Sequence, residues 1–434
     1  MKSRNFLQIC AASGLGFVTS VDHRSLVQAQ DKLPAKQRDL PSYDGPYYVV
    51  FNASGGWDTT YLMDPKGIGG INRLYQEGDI LTEGNLRFAP TRPHIEAGMS
   101  NEEFFGKYAD ELLVLNGIDY SVNNHSPCMR YMATGELDNS SYPTFAALVA
   151  ACKGSEVPLA FITFGNYSGT GNLVPMSRVP YLTSLNRLAK ADGVDGGSHW
   201  QYHDDFAIDR IERALQEQLQ ARIERSRLPR VERSQSMLFA AQVNSKSLER
   251  VTPFIPEQIS KERLSRQADI ALASFKAGVC VSANLSIGQF DSHANNDRDQ
   301  MKLIPEFLAG IDYLLTKAED LKIRDKLVVV IQSEMGRTPN YNQGEGKDHW
   351  SVGSIMFLGA GITGNRLLGA TDEEQFLTAI NPSTLALDPE GGIRVRPEHI
   401  HAALRDHADV SRHEFSDQFP LKVAEEERLR KLLG

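Results

Sequence analysis

The sequence predicts an α/β fold, a three-layer α/β/α sandwich with a mostly parallel central sheet and a helical insertion. Three observations carry this. Short β-branched and aromatic runs recur along the chain and alternate with helical patterns, the rhythm of a sheet covered on both faces. Residues 204–275 break that rhythm with a stretch rich in Arg, Glu, Gln, Leu and Ala. Carboxylates, imidazoles and glycines gather just after the runs, where sheets of this kind bind ligands.

The chain starts with the basic residues Lys2 and Arg4 and a weakly apolar stretch over 6–18. The small-residue cleavage pattern Val27-Gln28-Ala29 follows. This order reads as an export signal over 1–29. The segment Ser3-Arg4-Asn5-Phe6-Leu7 resembles a twin-arginine signal with serine in the first arginine's place, so the expected destination is the periplasm or the outside. An amphipathic first helix is the other reading. Residues 30–46 are polar and proline-containing, a linker. One α/β domain is expected over 47–434.

The first strand is expected over 47–52 and ends in Ser54-Gly55-Gly56-Trp57-Asp58. Helical patterns over 101–110 and 143–152 flank a strand over 112–115, and a further strand covers 159–164. The glycine-rich stretch 165–172 has no P-loop lysine and reads as a loop. Within the insertion, helices are expected over 208–223 and 258–275 with a break near Pro229; its alternating charges suit a solvated face. His199 and His203 lie four apart but follow Gly196-Gly197, which favours a loop. A strand over 278–287, a helix over 298–320 and strands over 327–331 and 354–358 complete the sheet. Terminal helices are expected from Val395 on, including a charged amphipathic one over 425–433. His399, His401 and His407 are expected as surface or capping histidines.

Composition bounds the function. The 434 residues are 41% hydrophobic and 23% charged, ordinary for a globular protein with a sizeable core. No apolar run approaches the ~18 residues a spanning helix needs. The balance of 46 Lys+Arg against 55 Asp+Glu, a net charge of −9, argues against a general nucleic-acid binder. After processing, Cys128, Cys152 and Cys280 remain. Three cysteines do not make a disulfide scaffold, nor is their spacing that of a zinc finger, so free thiols are expected.

The chemistry concentrates in four places. Asp58 follows the first strand. The strand over 278–287 runs into Gln289-Phe290-Asp291-Ser292-His293. The strand over 327–331 runs into Ser333-Glu334-Met335-Gly336-Arg337-Thr338-Pro339. A glycine-rich loop, 342–347, then delivers Asp348-His349. Taken singly, each has a bland alternative: turn chemistry for Asp58, a hydrogen-bonded turn for Asp291 and His293, an ion pair for Glu334 with Arg337, a helix cap for Asp348. Together they converge hard oxygens and imidazoles on one sheet edge, the set a divalent metal needs.

Phe290-Asp291-Ser292-His293 with a long helix after it, then 333–339, then Gly346-Lys347-Asp348-His349, resemble a secreted bacterial family, domain of unknown function 1501. The likeness is strongest over 265–360. The family is grouped with the alkaline-phosphatase-like superfamily, which includes sulfatases and cofactor-independent phosphoglycerate mutases. The resemblance implies an alkaline-phosphatase-like fold and a site for one or two divalent ions, zinc or else magnesium, manganese or calcium. By the same resemblance Asp291 and His293, completed by His349 and Asp348, are ligands of one metal, and Asp58 and Glu334 of the second. Arg337 is placed to hold an anionic oxygen, since a guanidinium matches a tetrahedral phosphate or sulfate. Met335 stands where better-known members have a histidine.

The superfamily places its nucleophile at a helix start after an early strand. Here that stretch reads Asn124-His125-Ser126-Pro127-Cys128, where the family commonly has Ser-His. Ser126 is the candidate nucleophile, or else an N-cap with Pro127 at the first helical position. His125 is an active-site or a packing residue. The expected function is an exported metal-dependent hydrolase of phosphate or sulfate esters, with a small anionic ester or glycan as substrate. The rival is a catalytically degenerate envelope module that binds glycan or protein, and phosphomutase-like transfer comes third.

Overall fold

Residues 47–53 are buried along their whole length and form strand β1 (Tyr47–Ala53). The computed structural model describes residues 42–179, 202–225 and 245–434, with residues 96, 167, 257 and 259 excepted. The export signal, most of the linker, His199 and the break near Pro229 lie outside the described residues.

In chain order the main strands are β1, β2 (Leu113–Asp119), β3 (Phe161–Thr163), β4 (Met176–Ser177), β5 (Ser282–Ile287) and β6 (Leu327–Gln332). A two-residue pair follows, β7 (Gly336–Arg337) with β8 (His349–Trp350), then β9 (Val352–Gly359) and β10 (Arg366–Leu368). The eight-stranded sheet has the order β10-β2-β9-β6-β1-β5-β3-β4. β1 pairs in parallel with both β5 and β6, and β9 runs antiparallel to its neighbours β2 and β6. The carboxyl ends of β1, β2, β5 and β6 therefore open on one edge.

The helices are α1 (Asn101–Tyr108), α2 (His125–Thr134), α3 (Phe145–Gly154), α4 (Asp205–Arg225), α5 (Arg263–Lys276), α6 (Asn296–Asp320) and α7 (Pro397–His407). Alternation along β1 divides the core into two layers. Tyr47, Val49 and Phe51 pack with Phe104 of α1, Leu272 of α5 and Phe307 of α6. Tyr48 and Val50 pack with Met132 of α2, Leu148 of α3 and Leu404 of α7. This is the three-layer α/β/α sandwich. No helix among the described residues is long and apolar enough to cross a membrane.

Several expectations shift. α5, counted in the insertion from sequence, packs against the sheet as a core helix, while α4 leaves Phe206, Ile211 and Leu215 exposed. The expected helix over 425–433 shrinks to a turn, Glu425–Glu427. There tertiary hydrogen bonds replace helical ones: Arg366 donates to the carbonyls of Lys431 and Leu432, and Thr363 N–H to that of Leu433. His399 caps α7, accepting from Arg396 N–H at 2.9 Å. His401 is fully buried rather than superficial and donates Nε2–H to the Met132 carbonyl at 2.8 Å. Cys128, Cys152 and Cys280 are unpaired.

Candidate metal centre

Five chain segments meet at the carboxyl edge of the sheet. The turn after β1 brings Ser54–Asp58, the turn after β5 brings Asp291 and His293, the turn after β6 brings Glu334, and the start of α2 brings His125. The 342–349 loop supplies His349. Close backbone approach is what makes this possible. Gly55, at φ +121°, lies so near Asp291 that a Cβ there would stand 2.5 Å from its backbone nitrogen. Gly346 lies against His293 in the same way. Asn342, unassigned from sequence, ties the loop together by accepting from Gly344 and Gly346 N–H and donating to the His293 carbonyl and to Asp348.

Asp291 is the centre. Its Oδ2 lies 3.3 Å from His125 Nε2, and its Oδ1 lies 3.1 Å from His293 Nε2 and 3.4 Å from His349 Nε2. His293 and His349 bring their Nε2 atoms within 3.0 Å of each other. Ligand atoms of His125, Asp291 and His349 lie within 4.8 Å of one another.

Behind each imidazole stands an acceptor for its other nitrogen. Nδ1–H of His125 donates to Glu334 Oε1 at 3.1 Å, that of His293 to Asp348 Oδ1 at 2.8 Å, and that of His349 to the Asn123 carbonyl at 2.8 Å. The Asn123 carbonyl requires the proton on Nδ1 of His349, and metal binding at Nε2 requires the same tautomer of His125 and His293, whose Nε2 atoms also turn toward Asp291. His125 Nε2 is buried and makes no hydrogen bond. An orphaned lone pair, two facing nitrogens and one carboxylate are ill at ease without a cation between them. Donors set ~2.0–2.2 Å from an ion in tetrahedral array stand ~3.3–3.6 Å apart, close to the 3.3, 3.1 and 3.4 Å that separate Asp291 from the Nε2 atoms of His125, His293 and His349. The residues fit a divalent metal.

Electrostatics agree. Burial acts to raise the Asp291 pKa, but the hydrogen bond and charge of Arg337, helped by His125 and His293, outweigh it and hold the carboxyl below its usual range. The hydrogen bond to Glu334 raises the pKa of His125, and the bond from His293 lowers that of Asp348.

Five of the expected site residues are placed differently. Arg337 does not face the opening. Its side chain is fully buried, with Nε–H donating to the Gly56 carbonyl at 2.8 Å, one terminal nitrogen to the Lys347 carbonyl at 3.1 Å and the other to the Gly55 carbonyl and to Asp291 at 2.8 Å. It anchors Asp291 and the 55–56 turn. Glu334 and Asp348 stand behind histidines rather than beside Asp291. Asp58 is fully buried and paired with Lys347, a residue whose role went unread in the sequence because its partner lies 289 positions away. Ser126 is not the cap: α2 starts at His125 with Asn124 as its N-cap, and Ser126 is exposed and not hydrogen-bonded to the cluster.

Solved structures of similar path are distant. The protein Ps i-CgsB is 10% identical over 90% of this chain and 77% of its own, with a TM-score of 0.42. A 2-O GAG sulfatase is 10% identical over 90% and 74%, at 0.32. The alkaline phosphatase of the Antarctic bacterium TAB5 is 10% identical over 74% and 92%, at 0.34. Nothing about the activity of this chain follows from likenesses so remote. No curated protein matches. The model of one family, described as "Protein of unknown function (DUF1501)", matches residues 49–386, and the chain belongs to that family.

Proposed function

We propose that the protein is an exported, metal-dependent hydrolase of phosphate or sulfate esters, working at the cluster of His125, Asp291, His293 and His349. The observation that carries this is the set of three imidazoles whose Nδ1 atoms all face acceptors while their Nε2 atoms converge on one carboxylate. Histidines oriented in this way by outer carboxylates and carbonyls are the usual support of a metal ligand. Three nitrogens and one oxygen suit a zinc-like ion better than calcium or magnesium, which take oxygen shells. When bound, such an ion supplies the positive charge that polarises an ester's P–O or S–O bond.

The chain's own residues do the rest. Glu334, Asp348 and the Asn123 carbonyl keep the protons on the far nitrogens. Arg337 fixes the position of Asp291 and offsets its charge. The cluster lies at the first turn of α2, where the N-terminal end of the helix carries partial positive charge and favours an anionic ester. Ser126 sits on that turn, exposed and with no hydrogen bond to the cluster, so the attack on the ester falls to water.

One observation favours a second reading, a glycan- or protein-binding module. Arg337 and Lys347 are both sealed from the opening, which leaves fewer cations to hold a developing charge. An assay of the zinc- and manganese-loaded chain on aryl phosphates and aryl sulfates separates the two. Turnover that disappears in Asp291→Ala supports the hydrolase. A metal-loaded, folded chain with no turnover on either ester class supports the binding module.

A further inference from the structure

The two-metal arrangement that the resemblance implies needs open lone pairs on Asp58, and the geometry provides none. Asp58 Oδ1 accepts from the Thr60 N–H at 3.2 Å and from the Thr60 hydroxyl at 2.6 Å. Its Oδ2 accepts from Asn296 Nδ2 at 2.9 Å and lies 2.7 Å from Lys347 Nζ, in an ion pair rather than an aligned hydrogen bond. Three hydrogen bonds and one ammonium thus meet the roughly four lone-pair positions a carboxylate has.

The lysine is built in. Both side chains are wholly inaccessible, and the ammonium lies 5.6 Å from the ring centre of Tyr61 and 5.2 Å from that of Tyr341. The hydroxyls of both tyrosines donate to Asp297 Oδ1, at 2.7 and 2.6 Å. A divalent ion brought to Asp58 would meet a fixed like charge within a few ångströms, in surroundings where screening by water is weak. Glu334 is engaged too. Its Oε1 accepts from Gly55 N–H at 2.8 Å as well as from His125, and its Oε2 faces the Ser333 hydroxyl at 3.5 Å.

We infer that the Asp58–Lys347 ion pair stands in place of a second divalent ion, so that this chain takes a single ion, at the cluster around Asp291. The inference rests on the metal-dependent reading above. It means that one ion does the work for which two-metal sites use a pair, and that no metal clamps both the attacking and the leaving oxygen.

The test is a count. The purified chain is stripped with a chelator, titrated with zinc by calorimetry, and weighed intact by native mass spectrometry. Saturation at one ion per chain is expected. Asp58→Asn should keep that count, with affinity inside the factor of about ten that marks the mildest loss of a supporting contact. Asp291→Asn should lose the ion. Two ions in the parent, one of them lost in Asp58→Asn, would overturn the inference and leave the metal-dependent reading standing. No ion in the parent would overturn that reading, and the inference with it. Should Asp58→Asn not fold, the parent's count still decides.

Discussion

Glu334 and His125 are 209 residues apart in the chain and 3.1 Å apart in space, Oε1 to Nδ1. The contact joins the end of β6 to the start of α2. The same oxygen accepts from Gly55 N–H, so a single carboxylate also sets the turn after β1.

Glu334→Gln keeps the shape and removes the charge. Its amide oxygen still accepts one proton, but His125 becomes a weaker base and its ring is less firmly held. Zinc affinity should fall by about 10–100-fold, as for other partners of metal-bound histidines. Calorimetric titration against the parent measures it. Unchanged affinity would mean that Glu334 supports the fold alone.

Arg337→Lys separates anchoring from substrate contact. The guanidinium makes its bonds in a rigid fork that an ammonium does not reproduce. Three backbone carbonyls and Asp291 would lose partners in a dry setting. A loss of about 1–3 kcal/mol is expected in urea unfolding, the cost of leaving a buried acceptor without its partner, because Asp291 itself is half-exposed. A raised KM with unchanged stability would instead put Arg337 on the substrate.

What could be read beforehand divides along physical lines. Runs such as 47–52 and 327–331 announce buried strands because burial on both faces demands uninterrupted apolar residues. The chemistry at their ends was legible because turns carry it. Pairing was not: Asp58 reads as a ligand until Lys347 is found beside it, and nothing local in either segment declares that contact. Arg337 was misjudged for the same reason, since its partners are mostly backbone carbonyls, which leave no residue signature. The 425–433 segment has helical spacing, yet its carbonyls bind Arg366 and Thr363 instead.

Gly55→Ala should abolish the site without touching a side chain in it. At φ +121° an alanine is strained, and its Cβ would drive into the backbone of Asp291. A loss of at least about 2 kcal/mol in stability and of zinc binding is expected. A stable variant with full metal content would show that the turn can yield.

Ser126→Ala tests the nucleophile. An activated serine has a base within about 2.6–3.2 Å, and Ser126 has no such hydrogen bond to the cluster. Turnover on an aryl ester should therefore change by less than the ~100-fold that loss of even one general acid or base produces. A drop well beyond that, with metal content intact, would assign the attack to Ser126.

His401 gives the fold an acid limit distinct from the metal centre. The ring is fully buried on α7, and burial pushes its pKa down to about 4, with the bond to the Met132 carbonyl opposing and Arg405 assisting. In the unfolded chain the ring titrates at about 6.5. Between these values the unfolded state binds the proton and the folded state does not, so protonation favours unfolding. Stability from this residue is whole above pH ~6.5 and is lost as the pH falls toward ~4, by up to about 3 kcal/mol. Burial lowers the pKa of His399 and His407 as well, so the parent's slope alone does not isolate His401. His401→Gln does, because an amide donates to the same carbonyl and never charges. Urea unfolding at pH 7 and pH 4.5 should show a smaller acid loss in the variant than in the parent. Equal losses would mean that the folded interior accommodates the charged ring.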